Sequence, residues 1–138
     1  MRRVESFLSI TGQRRRLVVL TFGLTVFSAV GIRVFSFRRI VTFLQRIPAG
    51  PTDQVATDDI RWATVVAARY VPGTTCLVRG VVAHTLCRRY GHESDLYVGV
   101  DRESETFAAH SWVESRGEVV VGDDVDLERY ETLGVIAS

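Results

Sequence analysis

Cys76 directly follows the break Val71-Pro72-Gly73-Thr74-Thr75 and heads a segment that reads as a helix. A thiol in that place meets the positive end of the helix dipole and backbone N–H groups with no intrahelical partner, and both favour the thiolate. The same N–H groups can hold the oxyanion that forms when a carbonyl is attacked. Cys76 is therefore a candidate nucleophile, set against the plainer reading of a small buried apolar residue. A nucleophile needs a base, and the chain has three histidines. His84 lies two turns further along the same helix, badly placed to reach back. His92 falls in the loop after it, and His110 in a strand, two residues before Trp112 and on the same face.

Hairpin geometry supplies a third group. If Arg116-Gly117 form a two-residue turn with Ser115 opposite Glu118, then Trp112 falls opposite Val121 and His110 opposite Asp123. Asp123 can then orient the imidazole while its other nitrogen faces the thiol, the usual three-part arrangement. Asp124 would point to the other face, and a one-residue slip exchanges the two. A zinc reading competes through His84 and Cys87, three residues apart, with His92 nearby. No Cys-x-x-Cys and no closing pair accompany them, so Cys87 reads more simply as core and His84 as a helix residue. Cys76 and Cys87, on one helix, lie about 16 Å apart and are not expected to pair.

The elements that must position these groups follow from periodicity. Residues 53–70 read as a helix whose apolar stripe includes Ile60, Trp62, Ala63, Val66 and Ala67, capped by Thr52 or Asp53. Thr74 or Thr75 caps a second helix running to about Tyr90. It is apolar nearly all round and so belongs inside the protein; Gly91 marks its stop. Beyond Ser94 the period changes to two. Residues 95–100, 106–115 and 118–124 read as three strands of a meander. Helices followed by an antiparallel sheet make an α+β fold, with a buried central helix on a small sheet.

Charge divides the chain. Residues 1–50 hold nine Arg and one acid, Glu5, while residues 51–138 hold eight Arg and fifteen acids. Ile47–Asp53, with Pro48 and Pro51, marks the expected boundary between an N-terminal Arg-rich hydrophobic helical segment, 1–50, and a body, 51–138. The uncharged run Leu17–Ile32 is sixteen residues, short of the about 20 a spanning helix needs. Three readings of residues 17–45 stand open: helices packed on the body, a docking surface for a protein or peptide, and peripheral contact with a membrane surface. No aromatic stacking platform interleaves the arginines, so nucleic acid is not expected. Two cysteines without a secretory cleavage pattern suit a cytoplasmic protein.

The segments "PGTTCLVRG", "FAAHSWVE" and "GEVVVGDD" together resemble the peptidase domain of the lasso-peptide maturation B proteins, over roughly Asp53 to Ile136. The resemblance implies a transglutaminase-like (papain-like) cysteine peptidase. Cys76 takes the nucleophile's place, His110 the base's and Asp123 the orienting acid's. It implies a ribosomally made precursor peptide as substrate, cut between leader and core, and no cofactor. The family's winged-helix leader-recognition domain has no counterpart here. The chain is thus similar to the split form, whose leader recognition comes from a separate protein, with a lasso cyclase acting next. A transglutaminase-like acyltransferase or general thiol protease, and a non-catalytic membrane or partner adaptor, remain as alternatives.

Overall fold

A computed structural model describes residues 12–46, 56–101, 108–122 and 130–137. Four helices precede four strands: α1 (Gly12–Val34), α2 (Phe37–Leu44), α3 (Thr57–Tyr70), α4 (Cys76–Arg89), β1 (Asp95–Asp101), β2 (Ala108–Ser115), β3 (Glu118–Val121) and β4 (Glu131–Ala137). This is the expected α+β layout, with α4 as its centre.

The outer face of α4 is nearly absent. Val78 and all residues from Gly80 to Cys87 are buried, between α1 and α3 on one side and β2 on the other. Val82, Leu86 and Leu96, wholly inaccessible, each contribute about 1.5–3 kcal/mol by leaving water. Leu17 and Leu24 of α1 and Ile40, Val41 and Leu44 of α2 belong to the same core cluster as Val81, Leu86 and Val113. One core thus runs across the boundary expected at residues 50 and 51.

Several expectations need correction. α1 runs 23 residues and continues past the uncharged run at both ends. Its stretch Arg15–Val34 is 20 residues with mean hydropathy 2.0, enough by length and composition to cross a bilayer. α3 starts at Thr57, too late for Thr52 or Asp53 to cap it. Asp59 instead turns back to accept the Ala56 N–H at 3.2 Å, and residues 52 and 53 lie outside the described residues. The buried stripe of α3 is Ile60, Ala63, Thr64 and Ala67. Trp62 is exposed instead, because it falls between the i, i+3, i+4, i+7 positions that face the core.

The sheet has four strands, where three were expected, in the order β3-β2-β1-β4, with β4 closing the free edge of β1. Arg116 and Gly117 do form the turn, with φ of 52° and 82° as a type I′ hairpin requires. Ser115 pairs with Glu118 and Glu114 with Val119. The register then shifts, so that Val113, not Trp112, stands opposite Val121. A bulge supplies the physical reason: one extra residue on β3 moves every later pair by one.

Candidate active site

Thr75 caps α4: its side chain accepts the Val78 N–H at 3.3 Å, and its carbonyl accepts the Arg79 N–H at 3.0 Å. Before it, Thr74 Oγ1 bonds back to the Val71 carbonyl at 2.8 Å and closes the turn. Cys76 is therefore the first helical residue. The cap takes the Val78 and Arg79 N–H groups. No bond to the N–H groups of Cys76 or Leu77, the two best placed to meet a developing oxyanion, occurs among the described residues. Cys76 itself is half-buried and its thiol is free.

The start of this helix is tied to the sheet by one long-range bond. Ser111 Oγ donates to the Cys76 carbonyl at 2.7 Å. Ser111 is wholly buried and directly follows His110. The bond thus brings the candidate nucleophile's backbone beside the candidate base's strand, across 35 positions of sequence.

His110 is buried, and its Nε2 lies 2.7 Å from the Gly122 carbonyl. A carbonyl only accepts, so Nε2 carries a proton toward Gly122. Gly122 can supply that carbonyl because it has no side chain. Its φ is +98°, and a Cβ would come within 2.6 Å of Trp112 Cβ and 2.7 Å of the Ser111 carbonyl oxygen. The His110 ring also meets Tyr130, at 5.4 Å between centroids, and Trp112, at 6.3 Å. Trp112 in turn stacks on Tyr97 at 5.5 Å.

Side chains alternate along a strand. The His110 ring therefore lies on the Trp112 side of β2, while Ser111 reaches the Cys76 carbonyl from the other. No hydrogen bond joins the Cys76 thiol to the His110 ring among the described residues. Asp123 and Asp124 lie outside the described residues. Gly122, the last described residue before them, already touches the imidazole.

The other end of α4 is built differently. The His92 N–H bonds the Cys87 carbonyl at 2.7 Å and the Gly91 N–H the Arg88 carbonyl at 3.2 Å, a paired closure of the C-terminus. Cys87 is wholly buried. Burial pushes its thiol up to about 12, with a bond to Ser94 opposing weakly. His84 Nδ1 bonds Ser94 Oγ at 2.7 Å, and the buried His84 Nε2 has no partner among the described residues. Burial holds His84 below its ordinary value; Asp95 opposes and Arg88 adds to the effect. Among the described residues no three His, Cys, Asp or Glu side chains are grouped to hold a metal ion.

Reasoning from sequence passed over Ser111, Gly122 and Ser94. A serine between the histidine and tryptophan of a strand, on the side facing a buried helix, is a polar residue at a core position. That signal was present.

A family model described as the transglutaminase-like superfamily matches residues 22–135. Neither the curated proteins nor the solved structures gave a significant match.

Proposed function

Since the chain belongs to the transglutaminase-like superfamily, we propose that it is a cysteine peptidase removing the leader from a ribosomally made lasso-peptide precursor. The observation that carries the catalytic part is the Ser111–Cys76 bond, which docks a capped, cysteine-headed helix start against the strand bearing His110. The peptide part rests on the resemblance of "PGTTCLVRG", "FAAHSWVE" and "GEVVVGDD" to the lasso B proteins.

In this reading the His110 ring leaves the Trp112 side of β2 on substrate binding and meets the thiol through Nδ1, a rearrangement and not only a tightened bond. Nδ1 takes the Cys76 proton, and sulfur attacks the carbonyl of the last leader residue. The Cys76 and Leu77 N–H groups hold the oxyanion. His110 returns the proton to the departing core amine, and water then clears the thioester with His110 as base. The Gly122 carbonyl holds the Nε2–H tautomer. Asp123 is the orienting acid: Nδ1 serves the thiol, so in the substrate complex Asp123 takes over the Nε2–H from the Gly122 carbonyl. The bulge in β3 makes Asp124 the competing acid. The chain works in the cytoplasm with a separate winged-helix leader-recognition protein and hands the core peptide to a lasso cyclase.

The test is to mix the chain with its precursor, with and without the recognition protein, and to follow leader loss by mass. Hydrolysed leader that disappears in Cys76→Ala supports the reading. A leader–amine conjugate in place of free acid would make the chain an acyltransferase, and no cleavage with an unreactive Cys76 would make it an adaptor. Asp123→Ala lowers cutting on the order of a hundredfold and Asp124→Ala leaves it; the reverse would assign the acid to Asp124.

A further inference from the structure

The sides of α1 are arranged the reverse of what water favours. Thr21, Thr25 and Ser28 point inward and are almost wholly buried. The threonine hydroxyls are satisfied by the carbonyls four residues back, Thr21 to Leu17 at 2.6 Å and Thr25 to Thr21 at 2.7 Å. Outward, Val19, Val26, Phe27, Val30 and Val34 follow one another at helical spacing and are 41–68% exposed. Phe43 of α2 extends this face, its ring 5.4 Å from that of Phe27. An amphipathic helix on a protein bathed only by water puts its polar side out, and exposed apolar patches of this extent mark an interaction surface.

Charge identifies the occupant. Residues 12–46 contain seven arginines and no acid. Arg16 lies beyond one end of the apolar row and Arg38 and Arg39 at the other, while Arg46 follows Phe43 where α2 folds back along α1, all four exposed. Apolar side chains carried with these cations and no acid on α1 and α2 complement acyl chains below anionic headgroups. The inner side of α1 is fixed on α3 and α4, with 44% of the Arg15–Val34 stretch buried. The helix therefore cannot be wrapped by lipid while the body is folded.

We propose that α1 and α2 form a monotopic membrane-docking face, lying in the plane of an anionic bilayer surface with the Val19–Val34 row and Phe43 sunk below the headgroups. The surface is independent of the catalytic reading, and its test does not use cleavage.

The full chain is sedimented with vesicles of phosphatidylcholine alone and of phosphatidylcholine with phosphatidylglycerol, at low and high salt. It partitions onto the anionic vesicles at least about tenfold better than onto the neutral ones, and salt weakens the binding. Val26→Asp with Val30→Asp, both already in water and so compatible with folding, abolishes partitioning. Arg38→Gln with Arg39→Gln lowers it on the order of tenfold. Circular dichroism checks that each variant is folded. Failure of the wild-type chain to bind anionic vesicles overturns the proposal. So does undiminished binding by the folded aspartate variant, or self-association through this face with no vesicle binding.

Discussion

The two ends of α4 each carry a cysteine and lie near a histidine, and the fold treats them in opposite ways. At the N-terminus Cys76 is partly open, sits behind a threonine cap, and has backbone donors around it. At the C-terminus Cys87 is sealed, bonded to Ser94, and pushed up to about 12 by burial. His84 beside it spends one nitrogen on Ser94, and its other, buried nitrogen has no partner among the described residues. His110, by contrast, has its Nε2 proton fixed by the Gly122 carbonyl. Residue type does not make a site; helix polarity and access do. The helix start offers donors to a developing anion, whereas at the other end burial favours the neutral thiol.

The largest effect expected from breaking this contrast comes from the cysteines. Cys76→Ala abolishes precursor cutting with an unchanged circular dichroism spectrum, and Cys87→Ala leaves cutting within about twofold while lowering the melting temperature. In the native chain near neutral pH, iodoacetamide labels Cys76 alone, and Cys87 reacts only after unfolding; peptide mass mapping reads both.

Gly122→Ala comes next. The new methyl collides with Trp112 and the backbone must leave positive φ. The change costs about 1–3 kcal/mol in denaturant unfolding and lowers cutting, because the carbonyl that holds His110 moves.

The buried end answers to pH. His84 has a lowered folded-state value, so folding favours its neutral form. Its contribution is complete above the unfolded value of about 6.5 and is lost as pH falls through the folded one. Melting temperature should therefore drop on acidification below about 6.5, and His84→Gln should flatten that drop without changing the pH profile of cutting.

The smallest effect belongs to Ser111→Ala. It removes one bond, worth about 1 kcal/mol with a further penalty for the stranded Cys76 carbonyl. It should lower kcat more than it raises KM, because it loosens the placement of the helix start.

Much of this was legible in the residues. The Thr75 cap, the buried α4 and the Arg116–Gly117 hairpin follow from local rules of capping, periodicity and turn type, which depend on neighbours in sequence. The bulge in β3 was not legible. After Glu118 that strand is three successive valines, Val119, Val120 and Val121, and a uniform run carries no mark of where the ladder slips. β4 was missed although "ETLGVIA" is rich in strand formers, because its partner, β1, is distant in sequence and no turn signal links the two. Cys76 and His110 were readable as residue types. The tether between their elements was not, since Ser111 reaches the Cys76 carbonyl across the fold and no local pattern encodes such a bond. The outward face of α1 was visible only as apolar content; which side faced the core required the packing.

The account stands most directly on the partnership of Cys76 and His110, and the rate of Cys76 alkylation against pH tests it, measured in a Cys87→Ala background so that one thiol is read. With His110 present, the thiol should react rapidly at about neutral pH, and His110→Ala should slow it by at least about tenfold there with the fold retained. Superimposable profiles for the two proteins, each rising only in the range of an ordinary free thiol, would contradict the account.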